Sequence, residues 1–301
     1  MTTPRHHPFA QNISRRTFCR QSFAGLTLMA AGGAVALGEE KAGNPDQYGA
    51  ALVDLTRCIG CRSCENACLV RQGYNGLPAA NFGFGPGDEK LTFKTRTFVD
   101  FRPVTAADGN SQKIPVKRQC QHCLDPACVS VCPVAALEKS PRGSVLWRND
   151  RCIGCRYCLL ACPFGVPKYE WDNALTPRVN KCDFCDDRQA EGKLPACVSA
   201  CPTGALKFGK RTDMLQEMKT RIKALPGRYT TMYGDQVVGG TSWFYLSDIP
   251  IEQLGFPSDL PKTPMPALTW NWLAKVPFVA IGVGLLLGGV VRLRRREGAI
   301  H

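Results

Sequence analysis

Sixteen of the seventeen cysteines in this 301-residue chain stand in four groups of four, and any fold it adopts has to satisfy them. Cys58, Cys61, Cys64 and Cys68 form the first group, and Cys120, Cys123, Cys128 and Cys132 the second. Cys152, Cys155, Cys158 and Cys162 form the third, and Cys182, Cys185, Cys197 and Cys201 the fourth. A proline follows the last cysteine of groups two, three and four; Leu69 takes that place in group one. Cys19 is left over near the N-terminus.

Disulfides, zinc and iron–sulfur clusters all use cysteine at this density. A zinc ion draws two C-x2-C pairs to one tetrahedral centre, whereas here a third and a fourth cysteine follow in every group. A disulfide needs a specific separation and direction of its two side chains, which crowded local sulfurs do not offer. Groups one and three have the C-x2-C-x2-C-x3-C spacing of bacterial two-cluster ferredoxins, in which the fourth cysteine ligates the other cluster. Gly60 and Gly154 let each loop turn tightly. Groups two and four keep the plan with longer inserts. Cross-ligation then predicts two nested units. In one, Cys120, Cys123, Cys128 and Cys162 hold a cluster beside that of Cys152, Cys155, Cys158 and Cys132. In the other, Cys58, Cys61, Cys64 and Cys201 pair with Cys182, Cys185, Cys197 and Cys68. The expected cofactors are four [4Fe-4S] clusters.

The two ends predict a location. Residues 1–38 contain Ser14-Arg15-Arg16-Thr17-Phe18, a mildly apolar stretch and the small-residue site Ala34-Val35-Ala36. This is the pattern of a twin-arginine export signal, a route for proteins folded around their cofactor. Residues 270–291 read as a transmembrane helix, with Trp270 and Trp272 at one interface and Lys275 snorkelling outward. Twenty-two residues span ~33 Å, enough for a hydrocarbon core of ~30 Å. Residues 292–301, with Arg292, Arg294, Arg295 and Arg296, read as a cytoplasmic tail by the positive-inside rule. Both ends put the main domain on the periplasmic side.

The formal net charge of +13 falls to +6 once residues 1–38 (four Arg) and 292–301 (four Arg and Glu297) are set aside. Four thiolate-ligated clusters would bring the body to about −2. The basic balance is therefore no sign of nucleic-acid binding, and no helix–turn–helix or basic–aromatic stripe accompanies it. No catalytic triad or dinucleotide-binding motif is apparent, so the expected role is that of an electron carrier and not an enzyme.

The rest of the chain predicts an α+β fold. Residues 91–102 and 114–117 read as partner strands around a turn at Asp108-Gly109-Asn110, and 143–147 as a short strand. Leu215, Met218, Ile222 and Leu225 recur at helical spacing, with Thr212 as N-cap and Pro226-Gly227 as the stop. Residues 239–246 suggest a strand, and 250–266 an extended lead to the membrane. The division expected is a cluster domain over 39–208 and an extension over 209–269. His122 has the position to donate a hydrogen bond to a cluster sulfur, and Trp147, Phe164, Tyr169 and Trp171 the size to shield clusters from water.

Together with Gln119-Cys120-Gln121-His122-Cys123, Cys162-Pro163-Phe164-Gly165-Val166-Pro167-Lys168-Tyr169 and Lys181-Cys182, the four groups resemble the iron–sulfur subunits of respiratory molybdoenzymes and hydrogenases, from residue 52 to about 250. The export signal and C-terminal helix make the chain look most like the ferredoxin-type subunit of hydrogenase-2. That resemblance implies electron flow from hydrogenase small and large subunits to an integral, quinone-reactive membrane subunit. The alternative it implies is the beta subunit of a periplasmic formate dehydrogenase or other molybdopterin oxidoreductase, with a molybdopterin catalytic partner. Some relatives replace one group-three cysteine by Trp and hold a three-iron cluster; all sixteen ligands are present here.

Overall fold

A computed structural model describes residues 43–75, 91–105, 111–173 and 178–297. The expected export signal with Cys19 and the expected turn at 108–110 lie outside the described residues. From residue 42 onward the chain forms one packed unit.

In chain order the elements are β1 (Gly49–Asp54), α1 (Ser63–Arg71), β2 (Thr97–Thr105), β3 (Ser111–Gln119), α2 (Ala127–Ser130), β4 (Leu137–Lys139), β5 (Val145–Trp147), α3 (Tyr157–Ala161), β6 (Lys168–Tyr169), β7 (Val179–Asn180), α4 (Asp186–Ala190), α5 (Ala196–Ser199), β8 (Leu206–Lys210), α6 (Arg211–Ala224), β9 (Thr231–Tyr233), β10 (Trp243–Ser247), α7 (Met265–Leu273) and α8 (Val276–Glu297). The mixture is α+β, as expected, and among the described residues one helix, at the C-terminus, is apolar and long enough to cross a membrane.

The largest sheet has the order β8-β1-β10-β9. β1 runs parallel to β10 and antiparallel to β8, and β9 closes the far edge. Successive side chains of a strand point to opposite faces, and here both faces are covered. Ala50, Leu52, Phe244 and Leu246 pack with Met218 of α6 on one side. Ala51, Val53, Trp243 and Tyr245 pack with Phe184, Val116 and Cys197 on the other. The sheet is thus a wall between α6 and the cysteine loops. Asp54, fully buried at its edge, accepts from Arg221 at 2.8 Å and from the Tyr229 hydroxyl at 2.9 Å, which pins α6 to it. Met218 is completely buried in the α6 contact. Met218→Ala is expected to cost about 2–5 kcal/mol, the usual range for truncating a core side chain, read as a lowered midpoint of denaturant unfolding.

Several expectations change here. The helix 211–224 starts at Lys210, not Thr212; Thr212 lies inside its first turn and bonds only to Asp213. The strand expected at 239–246 begins later, at Trp243, because Gly239 and Gly240 take positive φ in a turn. Residues 209–269 are not a separate extension, since β10 and α6 build the central wall with β1. Nor is 250–266 simply an extended lead: Leu254 and Phe256 are buried against Tyr233 and Tyr245, and Arg118 donates to the Leu254 carbonyl. The expected helix at 270–291 is broken near Lys275. Pro277 has no N–H to give to the preceding turn, so α7 ends at Leu273 and α8 begins at Val276.

Of the strand expected at 91–102 only the part from Thr97 forms, with 91–96 irregular; β2 pairs antiparallel with β3, which contains the expected 114–117 and delivers Gln119 directly before Cys120. β4–β5 and β6–β7 are shorter hairpins beside groups two to four.

Candidate iron–sulfur centres

Each cysteine group occupies a loop that ends in a short helix. In groups one and three the loops are close copies, Cys-Ile-Gly-Cys-Arg at 58–62 and at 152–156. Gly60 and Gly154 have φ of +69° and +70°, and the next arginines, Arg62 and Arg156, also take the left-handed conformation before α1 and α3 begin. A Cβ on Gly60 would come within 2.8 Å of the Phe101 ring, so space as well as backbone requires glycine there. Both arginines lie over aromatic rings, Arg62 over Phe101 and Arg156 over Trp171, each at 5.1 Å. Groups two and four form a second matched pair. His122 and Phe184, each just before the second cysteine, have positive φ and stack on each other at 4.7 Å. Both groups then run Pro-Ala-Cys-Val-Ser into a one-turn helix, α2 or α5.

The folded chain brings the sixteen thiols together as four sets. One cavity is lined by Cys58, Cys61, Cys64 and Cys201, and another by Cys132, Cys152, Cys155 and Cys158. In each, three neighbours in sequence are completed by the last cysteine of a different group. The charges felt by individual thiols outline the other two sets. Burial, then Cys120, Cys162 and Cys128, raises the Cys123 thiol. Burial raises the Cys68 thiol to about 12, with Cys197 and Cys185 adding to it, and Cys182 is raised by burial and by Asp183, Cys68, Cys120 and Cys185.

The same neighbours give an order. Cys64 feels Cys197, Cys182 feels Cys120, and Cys128 feels Cys158. The sets therefore follow one another from Cys58/61/64/201 to Cys68/182/185/197, then Cys120/123/128/162, then Cys132/152/155/158.

The donor set fits iron–sulfur clusters. All sixteen thiols are free, and Cys155 alone among them is exposed. Among the described residues no three His, Cys, Asp or Glu side chains converge closely enough for a single metal ion, so the sulfurs stand around a space and not a point. Backbone N–H groups already aim at them: Ala136 at Cys132 (3.2 Å), Phe184 at Cys182 (3.4 Å), Val166 at Cys162 and Ala196 at Cys185 (3.5 Å each). The Gln72 amide donates to Cys68 Sγ at 3.4 Å. Hydrogen bonds of this kind tune cluster potentials.

His122 is fully buried, and burial holds its pKa well below the ordinary value, so the ring is neutral. Its Nδ1 accepts from the Val145 N–H at 2.9 Å, which puts the proton on Nε2. That donor and Trp147 Nε1 are buried with no partner among the described residues. Trp147 lines the Cys132/152/155/158 cavity. A buried N–H without an acceptor is costly, and cluster sulfur is an acceptor of the right kind. Phe164 is partly buried against the core that contains Trp243 and Tyr245, and Tyr169 against that of Leu137, Val145, Cys158 and Val179. Trp171 is 67% exposed and shields nothing by burial.

Two buried lysines, Lys117 and Lys181, and a half-buried one, Lys139, escaped the sequence reading. Lys139 donates to the His122 and Cys123 carbonyls, and burial holds its pKa near about 8 against the pull of Cys123 and Cys120. Lys181 donates to the Val145 and Cys182 carbonyls. Lys117 is held by Thr97 and Gln119. The available signal was each lysine's place one to three residues before a cysteine or inside a short strand, which no periodicity marks as buried.

Comparison with known proteins agrees with this donor set. The family described as the 4Fe-4S dicluster domain matches residues 113–211, which hold groups two to four. A protein of Nitratidesulfovibrio vulgaris is 43% identical over 263 residues, covering 86% of this chain and 70% of that protein. The hydrogenase-2 operon protein HybA of Escherichia coli O157:H7 is 33% identical, over 83% of this chain and 84% of HybA. The iron–sulfur subunit of the nitrate-inducible formate dehydrogenase of Escherichia coli K12 is 34% identical, over 79% of this chain and 83% of the subunit. The chain belongs to the family of 4Fe-4S electron-transfer subunits that includes HybA and the formate dehydrogenase iron–sulfur subunits.

Proposed function

We propose that the chain relays electrons through four [4Fe-4S] clusters, from a periplasmic [NiFe] hydrogenase to a quinone-reactive integral membrane subunit. The observation that carries this reading is the serial arrangement of the four thiol sets, each completed by a cysteine from another group. Bound clusters supply one-electron carriers that need little rearrangement, with potentials between about −700 and +450 mV. The protein's part is to supply the sixteen thiolates Cys58 to Cys201, to shield all but Cys155 at least in part, and to set hydrogen bonds and charges around them.

The same proposal makes the two sets of Cys-Ile-Gly-Cys loops terminal and the two units nested two-cluster ferredoxins. Residues 1–38 serve as a twin-arginine signal, the main body is periplasmic, 270–291 cross the membrane, and 292–301 remain in the cytoplasm. The exposed apolar surface of α8 supports the span. The likeness to HybA and the chain's own Arg15-Arg16 signal support hydrogen as the electron source.

The likeness to formate dehydrogenase iron–sulfur subunits is of equal degree and supports a second reading, with a molybdopterin catalytic partner fed by formate. Purifying the native membrane complex through a tag on this chain separates the two. Quinone reduction with hydrogen, lost when this chain is deleted, is the expected result; reduction with formate and not with hydrogen would favour the second reading.

A further inference from the structure

Lys117 lies on β3 and is 2% exposed. Its Nζ donates to Thr97 Oγ1 at 2.8 Å and to Gln119 Oε1 at 2.9 Å, and stands over the Trp243 ring at 4.5 Å. Thr97 and Gln119 are neutral, and among the described residues no carboxylate forms an ion pair with this ammonium. A buried charge with no counterion costs several kcal/mol, so a positive group here requires negative charge close by. The sulfurs supply it. Lys117 lines the same cavity as Cys58, Cys61, Cys64 and Cys201. Burial works against its charge, and Cys197, Cys64, Tyr245 and Cys182 together hold it above the usual lysine range. Trp243, under the ammonium, packs against Phe184 at 5.3 Å in the core that holds Cys197, and the Phe184 N–H donates to Cys182 Sγ at 3.4 Å. Cys64 and Cys182 belong to different sets, so one ammonium faces two neighbouring centres.

We propose that Lys117 is a fixed cation shared by the Cys58/61/64/201 and Cys68/182/185/197 centres, which raises the reduction potentials of both and leaves the most distant centre, Cys132/152/155/158, unchanged. The inference rests on the cluster reading above. Its physical basis is simple. Each one-electron reduction adds a negative charge to a centre already carrying thiolates, and a nearby positive charge in a low-dielectric site favours the reduced form. Lys117 acts through the clusters and is therefore a positioning charge, not a ligand. The two hydrogen bonds and the Trp243 face fix where that charge sits. Lys139 and Lys181 lie against the Cys120/123/128/162 centre.

The test is a redox titration followed by electron paramagnetic resonance on the full chain in its complex. It uses the unsubstituted protein, Lys117→Met and Lys117→Arg, with iron and acid-labile sulfide measured on each. Lys117→Met is expected to make reduction of two centres at least tenfold less favourable, a shift of about 59 mV or more to lower potential. Lys117→Arg keeps the charge and should stay close to the unsubstituted protein. Should Lys117→Met assemble poorly, loss of iron from those two centres alone would support the shared counterion; equal loss from all four would overturn it. A fully loaded Lys117→Met protein with unchanged potentials would also overturn it. Absence of iron from the unsubstituted protein would instead overturn the cluster reading itself.

Discussion

Cys68→Ala is expected to destroy the centre formed with Cys182, Cys185 and Cys197, a hundred and more residues away, and to spare the centre formed with Cys58, Cys61 and Cys64 at its own loop. Local sequence would suggest the opposite, because Cys68 is only four residues from Cys64. The reason lies in α1. The loop 58–62 turns through Gly60 and Arg62, and Cys64 and Cys68 then stand one turn apart on the helix Ser63–Arg71. Cys64 lines the cavity with Cys58 and Cys61, and Cys201 completes that set in place of Cys68. The Cys68 thiol has Cys197 and Cys185 as its neighbours. Arg71, one helical turn on, bonds to Asp183 at 3.0 Å and locks the end of α1 against the Cys182–Cys185 loop. Removing the Cys68 sulfur therefore opens the group-four site. The measurement is the spectrum of the reduced protein with its iron content: one centre's worth of iron should be lost or the centre converted to a three-iron form. The mirror variant Cys201→Ala should remove the Cys58/61/64 centre and spare the other. If Cys68→Ala instead removed the centre of Cys58, Cys61 and Cys64, the nested arrangement would be wrong.

Deleting residues 276–301 should move the protein from the membrane to the soluble fraction with its iron content unchanged. Between residues 276 and 291 there are ten Val, Ile, Leu and Phe side chains, and every one is exposed. At about 0.3–0.6 kcal/mol for each such residue on an insertion scale, they favour the bilayer by about 3–6 kcal/mol. None of them packs on the rest of the chain, so their loss removes no core contact. The break near Lys275 leaves α7 with the part that remains after truncation. A milder variant, Leu286→Arg, sets a charge near the middle of the span at a cost of about 2.5–3.5 kcal/mol and should weaken membrane retention without abolishing it. Ultracentrifugation of cell extracts, with iron measured in each fraction, checks both. Retention of the truncated chain in washed membranes would mean that another contact holds it there.

The cysteine loops were legible because their chemistry is local. Two or three residues between ligands, a glycine and a following proline are all visible within a dozen positions. The hairpin β2–β3 was legible for the same reason. The central sheet was not. β1 reads Gly-Ala-Ala-Leu-Val-Asp and is buried on both faces, so it lacks the alternation that marks a half-exposed strand. Its partner β10 lies almost two hundred residues away, and parallel pairing at that distance leaves no trace in local pattern. The mistaken cap at Thr212 has a similar origin. Residues of that type favour N-caps, but the Arg211 N–H donates to the Tyr48 carbonyl beside β1, and this long-range bond sets the helix start two residues earlier. The buried lysines were hidden because lysine is almost always solvated. Lys117 is the exception only because the sulfurs it faces arrive from groups one and four.

Chemical analysis of anaerobically purified protein tests the central claim most directly. The account predicts about sixteen irons and as many acid-labile sulfides per chain, four in each of four centres, with paramagnetic signals appearing on reduction. Stoichiometric zinc, or cysteines paired as disulfides with negligible iron and sulfide, would contradict it.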